Sequence, residues 1–264
     1  MIGAVSESFA LVGRRVRHIR RMPEHLLGVT VMPVASVLVL GCLFGSAMRA
    51  PGQGGYQEYI MVGIFAQVML TNITTTGVGI VSDLDNGLVD RFRVLPISGS
   101  SVLVGRTVAD GLLVAWSCTV MTLVGYAIGW RAHNGPLQTL AGFGLLLLLG
   151  FAMSWLGALL GLVLRNVETV SAVSGVVMMP LVFLSNAFVP LDGLPGWVRV
   201  LAEWNPVSAI VSASRDLFGN ERGPTSGAFP AEHPLPTALL VLVLLLAVVV
   251  PLARRAYRKA AAQR

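Results

Sequence analysis

Residues 137–164 read LQTLAGFGLLLLLGFAMSWLGALLGLVL and contain no charged side chain. A helix of this length exceeds the about 20 residues that cross a hydrocarbon core about 30 Å thick. The rest of the chain has the same character: 55% of its residues are hydrophobic, 12% are charged, and the mean hydropathy is +0.75. These values exclude an ordinary soluble domain and indicate a protein embedded in a membrane.

Five further apolar runs are long enough to be considered as spans. All six runs are Leu26–Met48, Tyr59–Val81, Val102–Gly129, Leu137–Leu164, Val170–Val189 and Leu235–Leu252. Each is predicted to be helical, because a lone strand in lipid would leave its backbone amides unpaired. The predicted fold is therefore an all-α polytopic membrane protein with six transmembrane helices. Residues 26–252 hold the spans, and residues 253–264 form a basic cytoplasmic tail.

The distribution of Arg and Lys predicts the orientation of these spans. With a cytoplasmic N-terminus, 14 of the 19 basic residues fall on the cytoplasmic side. They are five residues before the first run, three around 91–106, one at 165 and five after the sixth run. Positive loops resist translocation, so both termini are predicted to be cytoplasmic. The basic residues follow the membrane edges, which fits anionic lipid headgroups better than nucleic acid.

The N-terminal segment is predicted to lie along the membrane surface. Phe9, Val12, Val16 and Ile19 fall on one helical face, and arginines cover much of the rest. This pattern predicts an interfacial helix within residues 1–25. A disordered basic tail is the alternative.

Several kinds of chemistry are missing from the sequence. A P-loop needs the lysine of its Gly-Lys pair, and the one lysine of the chain is Lys259, in the C-terminal tail. The four histidines are scattered without ligand spacing, so no metal site is predicted. The chain is therefore predicted not to be an enzyme by itself and to bind no cofactor.

Acidic residues are absent from the middle of every predicted span, which disfavours a proton-coupled antiporter. Asp110 comes closest, and Arg106 precedes it by four residues, the spacing of an intrahelical pair. The two are predicted to lie at the cytoplasmic mouth.

Asn72 and Thr75 give the second run an unusual polar content. They either bond to neighbouring helices or line a translocation path.

The stretch LDNGLVDRFRVLPIS, residues 84–98, interrupts the apolar runs with charge. Leu84, Leu88 and Phe92 share one face of a short helix, and Pro96 ends it. Such a helix is suited to dock in a groove of a cytosolic partner. A loop that merely fixes topology is the alternative, but it explains the arginines and not the aspartates.

Two motifs carry a resemblance to a known family. The first comprises Asp83, Gly87, Asp90, Arg91, Pro96, Gly105, Arg106 and Asp110. The second lies in residues 180–217 and comprises Ser185, Pro190, Pro195, Trp197, Asn205, Pro206 and Arg215. With the six runs, these motifs resemble the permease subunits of the ABC type-2 exporters, the group that contains the daunorubicin and multidrug-resistance permeases.

The resemblance implies a single ABC type-2 transmembrane domain over residues 1–264. It implies a permease that moves a hydrophobic or amphiphilic compound, such as a drug or antibiotic, out of the cell across the plasma (inner) membrane. The second motif would form re-entrant helices on the extracellular side, and an ordinary amphipathic surface loop is the alternative. Residues 83–96 would form a coupling segment, which receives motion from an ATP-binding subunit. It would contact that subunit through Asp83, Leu84, Gly87, Leu88, Asp90, Arg91, Phe92 and Pro96.

The same resemblance implies two ATP-binding subunits, which would carry the ATP and Mg, and a second permease copy or homologue. An exporter of a lipid or glycan is the nearest alternative. A proton-coupled antiporter and a non-transporting membrane scaffold are the alternatives from other classes.

Overall fold

A computed structural model describes residues 23–44, 55–86, 99–191, 194–222 and 227–262. Every regular element of these residues is helical. In chain order they are α1 (Pro23–Leu38, continued by a π-helical turn, Val39–Phe44), α2 (Gly55–Leu70), α3 (Asn72–Asp85), α4 (Gly99–Ile128), α5 (Pro136–Leu164), α6 (Val167–Phe183), α7 (Gly196–Glu203), α8 (Pro206–Phe218), α9 (Phe229–Glu232) and α10 (Pro234–Ala262). The all-α class is confirmed for this part of the chain. The interfacial helix predicted within residues 1–25 lies outside the described residues, apart from residues 23–25, which begin α1.

Four helical segments are long and apolar enough to cross a membrane. They are Tyr56–Asp85, Leu103–Ile128, Pro136–Leu164 and Pro234–Lys259. Two shorter apolar helices, Thr30–Gly41 and Val167–Phe183, fall in the first and fifth predicted runs. Length and composition therefore support four of the six predicted spans. Helix α6, in the fifth predicted run, ends at Phe183, six residues before the predicted end of that run at Val189, because the chain turns at Ser185.

The second span consists of α2 and α3, which meet at Thr71. This residue keeps helical backbone angles (φ −60°, ψ −16°), and its hydroxyl donates to the Val68 carbonyl oxygen at 2.7 Å. The polar sequence at this junction therefore does not break the span.

The fourth span, α5, lies at the centre of the bundle, where it contacts α2, α3, α4, α6, α8 and α10. Its closest neighbour is α3. A β-carbon at Gly157 would collide with the Ile73 carbonyl oxygen, and one at Gly161 would collide with that of Gly77. Small residues let helices approach closely in lipid. Gly157 and Gly161 therefore allow α5 to pack directly against the backbone of α3.

The chain between α6 and α10 folds into short helices. A turn over residues 184–190 follows α6, and α7 and α8 come next, separated by Trp204 and Asn205. The helix α8 ends at Gly219, whose φ of 74° suits a glycine that terminates a helix. The last helix runs beyond the predicted end of its span at Leu252, so most of the predicted basic tail is helical.

Candidate functional site

A buried ion-pair network joins α3 to α4. The Arg106 guanidinium pairs with the Asp83 carboxylate, and its Nε lies 3.7 Å from Oδ2 of Asp110. The same Asp110 oxygen accepts a hydrogen bond of 2.9 Å from the Thr76 hydroxyl, and Arg106 Nη1 donates to the Gly79 carbonyl oxygen at 2.9 Å. The pairing of Arg106 with Asp110 that their spacing indicates is therefore present.

Burial makes this network sensitive to substitution. Arg106 is 7% exposed and Asp110 is 6% exposed. Removing one partner of a buried pair leaves an uncompensated charge, which costs more than losing a surface pair. A β-carbon at Gly79 would collide with the Arg106 guanidinium, so this glycine makes room for the cation.

The network includes the first residue of the predicted coupling segment, Asp83. Asp83 is in the last turn of α3, which ends at Asp85. Residues 87–98 lie outside the described residues. With them lie six predicted coupling residues, namely Gly87, Leu88, Asp90, Arg91, Phe92 and Pro96. Of the predicted coupling set, the structure places Asp83 and Leu84, and it connects Asp83 to α4 through Arg106.

Leu84 differs from its predicted position. It was expected on an exposed face that docks with a partner, but it is 5% exposed and belongs to a buried cluster with Leu103, Trp155 and Tyr257. The reason is that α3 continues through this residue and packs it against the chain's own helices. The docking face predicted for residues 84–95 therefore loses its first member.

A second buried cation, Arg215 of α8, binds backbone carbonyls. Its side chain is 0% exposed. Nε and Nη2 donate to the Tyr59 carbonyl oxygen at 3.2 and 2.8 Å. Nη1 donates to the Asn186 oxygen at 3.0 Å, and Nη2 donates to the Ala187 oxygen at 3.1 Å. The guanidinium carbon also lies 3.6 Å from the centroid of the Tyr59 ring. One side chain thus joins α8, α2 and the turn after α6.

Other polar contacts hold the same turn. The Tyr59 hydroxyl donates to the Asn186 carbonyl oxygen at 2.8 Å, and the Tyr56 hydroxyl donates to the Phe188 carbonyl oxygen at 2.9 Å. From α8, the Ser208 hydroxyl accepts from the Asn186 amide at 3.0 Å. Helices α2 and α8 therefore both fix residues 186–188.

Asn205 links the end of α6 to the start of α8. Its amide nitrogen donates to the Leu181 and Leu184 carbonyl oxygens at 3.2 and 2.6 Å, and its side-chain oxygen accepts from the Val207 amide at 2.9 Å. Pro206 occupies the first helical position of α8, where its missing N–H leaves no unpaired donor. One asparagine therefore caps two helices.

The structure brings together part of the second sequence motif. Ser185, Asn205, Pro206 and Arg215 lie around the turn after α6, and Pro190 ends that turn. Pro195 and Trp197 lie apart, at the start of α7, where Trp197 is 71% exposed.

Sequence reasoning missed part of this cluster. The missed residues are Tyr56, Tyr59, Asn186, Ser208 and Ser212. Two tyrosines three residues apart at the start of a span were a signal, but such residues are also typical of a membrane interface.

The two polar candidates in the second span differ in environment. Asn72 is buried, and its amide donates to the Met69 carbonyl oxygen at 3.0 Å. A β-carbon at Gly150 of α5 would lie 3.5 Å from this amide, so Asn72 packs against α5. Thr75 is exposed, and its hydroxyl donates to the Thr71 carbonyl oxygen at 3.3 Å. Asn72 therefore has the contact that helix packing predicts, and Thr75 faces outward; whether either lines a translocation path stays a prediction.

Similarity to known proteins identifies the family. Residues 6–218 match the ABC-2 type transporter family. The chain is also 31% identical over 255 residues to the daunorubicin resistance ABC transporter permease protein DrrB1 of Streptomyces coeruleorubidus, a match that covers 97% of this chain and 87% of the relative. The chain belongs to the ABC-2 type transporter family.

Other relatives are less similar to this chain. The probable doxorubicin resistance ABC transporter permease protein DrrC of Mycobacterium tuberculosis is 25% identical over 196 residues, which cover 72% of this chain and 68% of the relative. The probable multidrug ABC transporter permease YbhR of Escherichia coli is 24% identical over 158 residues, covering 57% and 42%. Membership of the ABC-2 family makes this chain an integral membrane permease and implies an ABC ATP-binding subunit as its partner.

Proposed function

We propose that this ABC-2 permease exports a hydrophobic or amphiphilic compound, such as a drug or antibiotic, across the plasma membrane. The observation that carries the proposal is the 31% identity, over 97% of this chain, to a permease named for daunorubicin resistance. The uncharged hydroxyls of Thr71 and Thr75, exposed on the second span, are compatible with an amphiphilic cargo. They would line the path that the cargo takes.

The proposed complex contains two ATP-binding subunits and a second permease, which is either another copy or a homologue. ATP and Mg would be bound and ATP hydrolysed on the ATP-binding subunits. The coupling segment, residues 83–96, would contact those subunits. Motion there would reach α4 through Arg106, because this cation connects the end of α3 to Asp110.

The proposed topology has six spans and cytoplasmic termini. The first span would comprise α1 with its π-helical turn, residues 23–44, which measure about 33 Å at 1.5 Å per residue. The fifth would comprise α6, at about 26 Å, and the turn after it. The short helices α7 and α8 would be re-entrant on the extracellular side. Trp197 of α7 and Trp204, directly after α7, are exposed, and tryptophan is enriched at membrane interfaces.

Transport assays test the function. Vesicles that contain the permease and its ATP-binding subunit should accumulate daunorubicin when ATP is supplied, and a protonophore should not prevent this. The purified permease alone should show no ATP turnover above background, since it lacks a P-loop lysine. Uptake that requires a proton gradient and not ATP would instead support an antiporter, and no uptake under either condition would support a scaffold.

Site-directed labelling tests the topology. In a variant that lacks Cys42 and Cys118, single cysteines at Ser98 and Ala228 should react with an impermeant reagent from opposite sides of the membrane. The expected result in intact cells is labelling at 228 and not at 98, because the segment that holds 98 is rich in arginine. Labelling at 98 in intact cells would contradict the six-span topology.

A further inference from the structure

The last helix carries a basic face on one side. Its final turns expose Arg254, Arg255, Arg258 and Lys259. At 3.6 residues per turn, these four cations occupy an arc of about 140°. The opposite side is buried, where Ala253 and Tyr257 belong to the cluster that contains Leu84. This packing fixes the rotation of the helix and therefore the direction in which the basic face points.

The basic face lies on the same side of α10 as a row of exposed apolar residues, which points away from the helix bundle. Leu240, Leu244 and Val248 recur at four-residue steps, and they are 59%, 55% and 58% exposed. In a membrane-spanning helix, such a row of exposed aliphatic side chains contacts lipid. The cations follow this row on the same side of the helix, so they face the lipid and not the helix bundle.

Distances along the helix axis place these cations at the depth of lipid headgroups. The apolar run ends at Leu252, and the cations begin at Arg254. From Arg254 to Lys259 the helix rises about 8 Å, which is close to the thickness of the polar region of one leaflet. No carboxylate in the described part of the chain forms an ion pair with them.

We propose that Arg254, Arg255, Arg258 and Lys259 form a binding site for the phosphate groups of anionic phospholipids. Clustered cations at a membrane surface attract anionic lipids. An acidic protein surface is less favoured as the occupant, because the face is continuous with the lipid-contacting side of α10. Bound lipid would hold Tyr257 against the cluster that contains Leu84, next to the network of Asp83. This last consequence rests on the proposed function, whereas lipid binding does not.

The test measures anionic lipid retained by the purified permease. Wild-type protein and the variant R254Q/R255Q/R258Q/K259Q are exchanged into micelles that contain equal amounts of phosphatidylglycerol and phosphatidylcholine, and the bound lipids are quantified by mass spectrometry. We expect the wild-type preference for phosphatidylglycerol to fall about fivefold for each cation removed and to weaken at high salt. The variant R254K/R255K/R258K keeps every charge and should keep the preference.

Two further measurements make the outcome decisive. If the fourfold variant does not fold, R258Q/K259Q alone should still lose about 25-fold of the preference, on the same scale per cation. Equal lipid preference in wild type and in a folded variant would overturn the proposal. Unchanged lipid preference with reduced co-purification of the ATP-binding subunit would also overturn it, and would assign the basic face to that subunit. Because lipid retention needs no transport, this result is independent of the test of export.

Discussion

Replacing Arg215 with Gln should destabilise the permease by about 3–5 kcal/mol and abolish export. The guanidinium makes four hydrogen bonds to the carbonyl oxygens of Tyr59, Asn186 and Ala187, inside the protein. Glutamine is too short and has too few donors to replace them, so buried acceptors are left unpaired. Lysine keeps the charge but lacks the planar fork, so Arg215→Lys should be intermediate. Thermal unfolding in detergent measures this order of stability.

Arg131 provides a matched control for Arg215. It also donates to two carbonyl oxygens, those of Tyr126 and Trp130, and its guanidinium carbon lies 5.1 Å from the Tyr126 ring centroid. It is exposed to solvent, however, so water can replace its contacts. Arg131→Gln should change stability by no more than about 0.5 kcal/mol. Equal effects of the two substitutions would show that the buried position of Arg215 contributes nothing.

Replacing Arg106 with Gln should have an effect of similar size, about 3–5 kcal/mol, by a different mechanism. It leaves the carboxylates of Asp83 and Asp110 without the cation that lies between them. Asp110→Asn should cost less, about 1 kcal/mol. The amide oxygen of the introduced asparagine can still accept the hydrogen bond from Thr76, and Arg106 still forms its ion pair with Asp83.

The double variant R106Q/D110N separates charge from packing. Because the second substitution removes one of the unpaired carboxylates, the double variant should be more stable than R106Q alone, with a coupling energy of about 1–3 kcal/mol. The pair of Arg222 with Asp216, which is partly exposed, serves as the control, and Arg222→Gln should cost about 1 kcal/mol or less. If the effects of R106Q and D110N on the free energy of unfolding simply add in the double variant, Arg106 and Asp110 do not interact, which would contradict the network. If the ion-pair network also transmits motion from the ATP-binding subunit, D110N should lower export while that subunit still co-purifies with the permease.

Local sequence patterns determined much of this protein. The uncharged run at 137–164 is α5 almost to the residue, since length and apolarity alone decide whether a segment can span lipid. The pairing of Arg106 with Asp110 also follows from sequence, because residues four apart on a helix are neighbours whatever surrounds the helix. The close packing of α5 on α3 has a local signal too, since Gly157 and Gly161 are four residues apart. Their spacing puts them on one face.

Only the tertiary structure decided which distant groups meet. Arg215 and Tyr59 are 156 residues apart, and nothing in either local pattern indicates the other. Leu84 was expected on an exposed face and is buried, because α3 continues through it and places it in a cluster with Leu103, Trp155 and Tyr257. Likewise, Asn72 faces α5 while Thr75 faces outward. Such outcomes depend on the rotation and register of each helix, which the packing of all the helices together determines. The periodicity of one helix therefore does not predict which neighbours its residues contact.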